Sequence, residues 1–414
     1  MTLSAFIDDF LKREANAQVA FLAELVKVPS DNPPGDCAPH ALRAQALLEG
    51  LGLKVEAHPV PAADVAATGM ISAINLVVRE TFGPGPVVAL NAHGDVVPPG
   101  LGWRHDPYGA TVEDGPHGPT MFGRGVAVSK SDFATYTWTL LALRAAKAAG
   151  LPVSGTLELH FTYDEEVGGD IGPKWLLDRK ISKPDYAFSA GFSYNIVNAH
   201  NGCLHLEVTV TGKQAHAAMP HTGVDALEGA TAILAALYAS RAALGRTKST
   251  VAGIGSPSLN VGLISGGINT NVVPDRVTFR LDRRIIPDED PVAVEAELRK
   301  LISTVPVMPG ITIDIRRVLL ALPLAPQPGW EKIAAALQRH GRDILGVEIP
   351  VEGVPIYTDA RHYSAAGIPV VLYGAGPRTL LEANGHNADE NLRLRDLAAA
   401  TRIVTLSVAD LLGG

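Results

Sequence analysis

The stretch Phe161-Thr-Tyr-Asp-Glu-Glu-Val-Gly-Gly169 places three successive carboxylates, residues 164 to 166, between an apolar run and two glycines. The run before them, Leu157 to Tyr163, is short and rich in apolar, aromatic and β-branched residues, which predicts a strand of an α/β sheet. Open α/β sheets bind ligands at the carboxyl ends of their strands. Three adjacent carboxylates repel one another, so a fold that gathers them usually supplies a cation, most simply a metal ion. A solvated acidic turn is the alternative that this segment leaves open.

Length and composition are those of an ordinary globular protein with more than one domain. The chain has 414 residues, 47% hydrophobic and 19% charged, which exceeds what one core usually serves. The net charge of -8 argues against a nucleic-acid or anionic-membrane partner, since both require a basic surface. Two cysteines, Cys37 and Cys203, form neither a disulfide framework nor a zinc-ribbon pattern. We expect a cytoplasmic protein, because residues 1–25 do not read as a signal peptide and no apolar run reaches membrane-spanning length.

Both ends of the chain alternate predicted helices and strands. The apolar spacing predicts helices within residues 6–26, 41–51, 330–340 and 392–412, and strands at 53–57, 86–93, 157–163 and 370–373. Such alternation predicts a mostly parallel, helix-covered sheet.

The middle of the chain has a different order of predicted strands and helices. Strands are predicted at 204–211, 258–263, 276–282 and 311–315, and helices at 224–238 and 292–302. These elements form an α+β unit with an antiparallel sheet and two helices, about the size of a small domain. The sequence therefore predicts an α/β domain, residues 1–199 and 318–414, with a second domain, residues 200–317, inserted into it.

Two histidines accompany acids at predicted loop positions. His93 and Asp95 end one predicted strand, and His386 lies in a glycine-flanked loop. Two histidines with one carboxylate form a zinc ligand set with an open position for catalysis. Asp95 is placed to fix the imidazole tautomer of His93, while Glu165 and Glu166 can divide the roles of base and ligand. Each histidine alone is more often structural, but together with the acidic triplet they favour a metal site.

The ordered motifs resemble the co-catalytic zinc aminoacylases and carboxypeptidases, a family that includes acetylornithine deacetylase, succinyl-diaminopimelate desuccinylase and glutamate carboxypeptidase. The resemblance covers nearly the whole chain. It rests on Ala92-His-Gly-Asp-Val-Val-Pro98, Phe122-Gly-Arg-Gly125, Asp164-Glu-Glu166, Gly212-Lys-Gln-Ala-His216 followed by Pro220, Gly267-Ile-Asn-Thr-Asn-Val-Val-Pro274, Thr358-Asp-Ala-Arg361, and His386 with Glu390. The resemblance implies a catalytic α/β domain, an inserted lid or dimerisation domain, and hydrolysis of a C–N bond in an N-acyl amino acid or small dipeptide.

The resemblance also implies the roles of single residues in the α/β domain. His93, Glu166 and His386 would be metal ligands, and Glu165 would be the general base that activates metal-bound water and carries a proton to the leaving nitrogen. Arg361 would be a candidate for binding a substrate carboxylate.

In the inserted domain, the resemblance implies a homodimer. His216 and Asn271 would reach the active site of the other subunit and bind the reacting oxyanion, and Arg284 would be a second candidate for the substrate carboxylate. The alternatives from the residues alone are that His216 only satisfies a strand end and that Arg284 is a solvated surface residue.

Two positions depart from the family pattern, and both concern a second metal ion. After its Gly-Arg-Gly motif the family carries an aspartate that bridges two metals, where this chain has Val128. The family also takes a carboxylate from a loop beyond the glutamate pair, where this chain has Gly191. Neither residue is a ligand, so the altered site predicts one divalent ion per chain, zinc or manganese, with iron also compatible.

Two alternatives to the single ion stay open. One keeps two ions by recruiting Asp132, which lies four residues past Val128 and on the same face if a helix begins there, with Asp164 and His200 as weaker recruits. The other is a non-catalytic relative that binds a small molecule. Glu165 argues against the second alternative, because a chain freed from catalysis needs no base.

A single ion also widens the expected substrate range. Without a second ion, a two-metal clamp on a tetrahedral intermediate is not available. A single-metal aminohydrolase that releases an amine from an activated aromatic ring is therefore the alternative to ordinary amide hydrolysis.

Overall fold

A computed structural model describes residues 1–413 and divides them into two compact units. The first unit contains Met1–Asn198, Pro326–Glu352 and the described residues from Thr358 onward, and the second contains Ala199–Ala325 and Gly353–Tyr357. None of the helices in the described part of the chain is long and apolar enough to cross a membrane.

The strands of both units, in chain order, are β1 (Val55–Pro59), β2 (Ile74–Thr81), β3 (Val87–His93), β4 (Thr111–Gly115), β5 (Gly118–Phe122), β6 (Thr156–Thr162), β7 (Tyr186–Ser189), β8 (Gly202–Thr211), β9 (Ser258–Gly266), β10 (Arg276–Ile285), β11 (Thr312–Ala321), β12 (Val370–Leu372) and β13 (Asn391–Arg393). The α-helices are α1 (Leu3–Val26), α2 (Ala38–Gly50), α3 (Ala62–Ala67), α4 (Lys130–Ala148), α5 (Pro173–Asp178), α6 (Ala226–Leu244), α7 (Pro291–Thr304), α8 (Trp330–Leu345), α9 (Ala360–Ala365) and α10 (Leu394–Leu411).

The first unit is built on a six-stranded sheet in the order β1-β2-β6-β3-β7-β12. The strands from β6 to β12 pair in parallel, whereas β1 and β2 add an antiparallel edge. Nearly every residue of β3 and β6 is buried, as expected of parallel strands covered on both faces. Helix α4 packs against both strands, and α1 and α10 pack against α4. The predicted mostly parallel, helix-covered sheet is confirmed.

A small antiparallel sheet, in the order β13-β5-β4, adds to this unit. The sequence analysis did not predict it, because its strands have only three to five residues and show no clear alternation. Its position matters for the site, since β13 follows directly after the loop that carries His386.

The second unit is a four-stranded antiparallel sheet in the order β11-β8-β10-β9. From Leu204 onward strand β8 alternates between buried and partly exposed residues, and Leu204, Leu206, Val208 and Val210 are fully buried in a core shared with α6 and α7. Asp225 caps α6 by accepting hydrogen bonds from the backbone N–H groups of Leu227 and Glu228. The predicted antiparallel sheet with two helices is confirmed.

One local expectation is wrong. Helix α4 begins at Lys130, so Val128 precedes the helix and shares no helical face with Asp132. Ser129 is the N-cap residue of this helix, and its side chain accepts from the backbone N–H of His93 and donates to the His93 carbonyl.

Candidate metal centre

The carboxyl ends of β3 and β6 bring three of the predicted residues together. The strands pair in parallel with His93 opposite Thr162, so the acids that follow Thr162 lie beside the histidine. His93, Glu165 and Glu166 each offer a ligand atom, and these atoms lie within 4.8 Å of one another. The glutamates occupy a 3₁₀ turn, Glu165–Val167, that ends at Gly168 in the left-handed conformation. The turn folds both side chains back toward the end of β3.

Asp95 is fully buried and connects the two strand ends. Its carboxylate accepts from the backbone N–H groups of Glu165 at 3.2 Å and Glu166 at 3.1 Å, and from Asn32 Nδ2 at 3.0 Å. The same carboxylate lies 3.4 Å from Nδ1 of His93, which also contacts the Asp95 carbonyl at 2.9 Å. Asp95 therefore fixes the acidic turn and leaves Nε2 of His93 available for an ion.

The electrostatics of the cluster suit a cation. Burial raises the pKa of the Glu165 carboxyl well above its ordinary value and that of Glu166 to about 8, against the opposing charge of His93. Burial disfavours the charged form of His93, but Glu165 and Asp95 outweigh it and raise the pKa of the imidazole well above 6.5. The carboxyls of Glu165 and Glu166 and the imidazole of His93 thus compete for protons in a site that is shielded from water. A divalent ion fits this donor set because it stabilises both carboxylates together.

His386 lies next to this cluster. Its Nε2 is 3.5 Å from Oε1 of Glu166, and its side chain is half exposed. The residue has a φ of +63°, a left-handed conformation that is uncommon for a side chain of this size. Its loop is held by Arg124, which donates to the Asn387 carbonyl at 3.2 Å.

Arg124 and Glu390 form a buried ion pair that sequence reasoning quoted in motifs but gave no role. The Nη1–Oε2 distance is 2.6 Å, and both side chains are 1% exposed. The second carboxylate oxygen of Glu390 accepts from the backbone N–H groups of Ala127 and Val128. This pair ties the His386 loop to the segment after β5. Its sequence signal is an arginine between two glycines and a glutamate that directly precedes β13.

A third loop contributes Asp359, which sequence reasoning missed. Asp359 is buried, and its pKa is raised to about 7, mainly by burial and despite the opposing charge of His93. Nearby, Arg361 and His362 both contact the Gly168 carbonyl at the end of the acidic turn. Its sequence signal is an acid two residues before Arg361, within the motif Thr358-Asp-Ala-Arg361. Arg361 is buried on the turn itself rather than extended into solvent.

Val128 and Gly191, where the family pattern carries ligands for a second ion, offer none in this chain. Val128 is partly buried against the hydrophobic core. A Cβ atom at Gly191 would lie 2.8 Å from the backbone of Leu372, which leaves no room for an acidic side chain on this backbone. Asp132 is fully buried, is not among the three clustered side chains, and accepts from the Ala375 backbone N–H at 2.6 Å.

Two weaker candidates have structural partners. Asp164 accepts from the backbone N–H of Ile171 at 2.7 Å, so it closes the loop after the acidic turn. His200 belongs to the second unit, where its Nδ1 contacts the Asn201 carbonyl at 2.9 Å.

The remaining predicted residues, His216, Asn271 and Arg284, lie in the second unit. His216 is exposed, forms a β-bridge with Val272, and accepts from the Ala218 backbone N–H at 3.0 Å through Nδ1. The Ala217 backbone N–H donates to the Asn271 carbonyl at 3.0 Å, so the two predicted oxyanion-binding segments are adjacent. Arg284 donates from Nε to Asp282 at 3.0 Å.

A histidine and two glutamates meet at the carboxyl edge of a mostly parallel sheet, and this donor set fits a divalent metal ion. The sequence profile of peptidase family M20/M25/M40 matches residues 89–410, and the chain belongs to this family. It is therefore an enzyme that acts on C–N bonds and uses a divalent metal, and the non-catalytic interpretation is not retained.

Individual relatives agree with this assignment. The chain is 29% identical over 338 residues to a succinyl-diaminopimelate desuccinylase of Acidiphilium cryptum (strain JF-5), covering 80% of this chain and 84% of the relative. It is 27% identical over 342 residues to aminoacylase-1 of Mus musculus, covering 77% and 79%. An M20 family metallo-carboxypeptidase from Sulfolobus solfataricus shares the fold with a TM-score of 0.76 at 17% identity, covering 95% of this chain and 99% of that one.

Proposed function

We propose that this enzyme hydrolyses a C–N bond in a small carboxylate-bearing substrate, such as an N-acyl amino acid or dipeptide, with one divalent ion per chain. The observation that carries the proposal is that His93, Glu165 and Glu166 converge while Val128 and Gly191 replace the ligands of a second ion. The names of the relatives, a desuccinylase and an aminoacylase, support cleavage of an amide.

His93, Glu166 and His386 would hold the ion, which would be zinc or manganese. This set provides two imidazoles and one carboxylate, and the 3.5 Å between His386 and Glu166 keeps them within reach of a common ion. A bound divalent ion supplies Lewis acidity, which polarises a carbonyl and lowers the pKa of water toward neutrality.

Glu165 would act as the general base. It adjoins the ligand Glu166 and lies in the same desolvated cluster, where burial raises the pKa of its carboxyl. A raised pKa suits a group that accepts a proton from the attacking water and returns it to the leaving nitrogen. Asp95 would position Glu165 through its backbone N–H rather than contact the substrate.

The proposal includes a cytoplasmic homodimer. His216 and Asn271 would serve the active site of the partner subunit by binding the oxyanion, and Arg284 and Arg361 would be candidates for the substrate carboxylate. His216 is exposed, so its side chain is accessible to a partner subunit. Cys37 and Cys203 are not joined by a disulfide, which supports a reducing compartment.

A second candidate follows from the same loss of ligands. With one ion, the enzyme would lack a two-metal clamp on a tetrahedral intermediate. Attack of water on an activated aromatic ring carbon, with C–O bond formation and loss of the amine from the same carbon, needs no such clamp. A single-metal aminohydrolase acting on an amino-substituted aromatic acid is therefore the second candidate.

The test combines metal content with a substrate panel. Protein purified without chelator is expected to hold one ion per chain at this centre, and Val128→Asp to hold more, as measured by elemental analysis. Cys203→Ser, which leaves every proposed ligand of this centre in place, serves as a control for ions held elsewhere. Turnover of N-acyl amino acids and dipeptides supports the amide hydrolase, whereas turnover only of amino-aromatic acids supports the aminohydrolase. Two ions at this centre in the wild type contradict the single-metal site.

A further inference from the structure

A second cluster of metal-ligating side chains lies on one face of the four-stranded sheet in the second unit. Cys203 and His205 are two residues apart on β8 and therefore point to the same face. Asp282 on β10 is the direct cross-strand partner of His205. This face is opposite the one that packs on α6 and α7 through Leu204 and Leu206.

The three ligand atoms converge on one another. The His205 Nε2–Asp282 Oδ2 and Cys203 Sγ–His205 Nε2 distances are both 3.1 Å, and the Cys203 Sγ–Asp282 Oδ2 distance is 3.7 Å. In a catalytic cysteine–histidine–acid relay, the thiol and the acid would face different nitrogens of the imidazole ring. Here one nitrogen faces both groups, which is the arrangement of ligands around a single ion.

The size of this triangle fits a tetrahedral ion. Zinc bonds of about 2.3 Å to sulfur and about 2.0–2.2 Å to nitrogen and oxygen place neighbouring ligand atoms roughly 3.3–3.7 Å apart. The observed distances lie within about half an ångström of those values. Thiolate, imidazole and carboxylate together are a borderline-soft set that suits zinc and cobalt better than calcium or magnesium.

The surroundings keep the site charged and accessible. Asp282 uses its other oxygen, Oδ1, to accept from Arg284 Nε at 3.0 Å, which leaves Oδ2 for the cluster. Burial raises the pKa of the Asp282 carboxyl, but His205 and Arg284 outweigh burial and lower it below its ordinary value. Cys203 is buried, whereas the side chains of His205 and Asp282 are 35% and 27% exposed. An ion can therefore enter from solvent and keep a position for water.

We propose that Cys203, His205 and Asp282 form a second metal site that takes a zinc-class divalent ion, has no ligand in common with the His93 centre, and clamps β8 to β10. Because Asp282 also holds Arg284, an ion at this site fixes the position of that arginine as well.

Cobalt is the probe that separates this site from the His93 centre. The proposed ligands of that centre include no thiolate, whereas a cobalt–thiolate bond gives a charge-transfer band in the near ultraviolet. Metal-depleted full-length protein titrated with cobalt is expected to show this band with a stoichiometry of one per chain, and zinc is expected to abolish it by displacement. Absence of the band in the wild-type protein overturns the proposal.

Variants assign the band to its ligands. Cys203→Ser is expected to abolish the band, while Cys37→Ser, a matched change of the other cysteine, preserves it. His205→Gln and Asp282→Asn retain the thiol and are expected to weaken cobalt binding at least about tenfold. Circular dichroism confirms folding, and these two variants decide the outcome if Cys203→Ser is unstable. A band that survives in Cys203→Ser, or cobalt affinity unchanged in both other variants, also overturns the proposal.

Discussion

Asp95 is a single buried acid that positions the residues of the proposed metal centre without being one of its proposed ligands. Its carboxylate accepts from two successive backbone N–H groups of the acidic turn and from Asn32, and it contacts Nδ1 of His93. Each of these contacts needs an acceptor, and a carboxylate provides two acceptor oxygens where an amide provides one. The residue therefore sets the tautomer of one proposed ligand and the backbone position of the neighbouring acids.

Asp95→Asn is expected to lower zinc affinity at the His93 centre by about 10- to 100-fold, because the amide presents N–H groups to one of its present donors. Isothermal titration calorimetry of the metal-depleted protein checks this value. Asp178→Asn changes a solvent-exposed acid in the same unit and serves as the matched control. Equal affinity in Asp95→Asn and the wild type would show that Asp95 is not a positioning residue.

Changing each of the two neighbouring glutamates to glutamine is expected to have a different effect. Glu165→Gln is expected to keep its metal and to lose about 10²- to 10⁴-fold in kcat, the usual contribution of a positioned general base. Glu166→Gln is expected to lose metal affinity first, with activity following occupancy. Metal analysis beside kinetics at saturating zinc distinguishes them. Loss of metal in Glu165→Gln with retention in Glu166→Gln would reverse the proposed roles.

At the scale of elements, strand ends were predictable from sequence and loop positions were not. The buried runs that became β3 and β6, each followed by acids, predicted a shared sheet edge, and the parallel register places His93 opposite Thr162. The His386 loop depends on a long-range ion pair between Arg124 and Glu390, and no local pattern encodes such a pair. The role of Asp359 is likewise not encoded locally, because the burial of its side chain, which depends on the tertiary fold, makes it part of the site.

Arg124→Met is expected to destabilise the protein by about 3–5 kcal/mol, because it leaves the Glu390 charge buried without its partner. It is also expected to weaken metal binding, since Arg124 holds the carbonyl next to His386. Urea unfolding and zinc titration measure the two effects. The control is Lys174→Ala, which removes an exposed ion pair with Asp178 and is expected to cost about 1 kcal/mol or less. Similar costs for both variants would remove the structural role assigned to the buried pair.

At the scale of the whole molecule, binding of an ion to the folded protein is linked to its stability. An ion present at about 100 times its dissociation constant stabilises the native state by about 2.7 kcal/mol. Chelation is therefore expected to lower the melting temperature by the order of 5 °C, as measured by scanning calorimetry. Glu166→Gln is expected to show a smaller shift because it lacks a proposed ligand. An identical shift in this variant would place the stabilising ion elsewhere.

The proposed dimer makes the strongest prediction about the whole molecule, because it divides one active site between two chains. Glu165→Gln and His216→Ala homodimers are each expected to be nearly inactive. In a heterodimer purified through two different tags, the His216→Ala subunit keeps Glu165 and receives His216 of the partner subunit, so one of two sites is intact. Such a heterodimer is expected to show about half of the wild-type turnover. If His216 acts within its own chain, each site in the heterodimer lacks one group and activity stays absent. Light scattering gives the oligomeric state independently, and a fully active monomer would contradict the shared site.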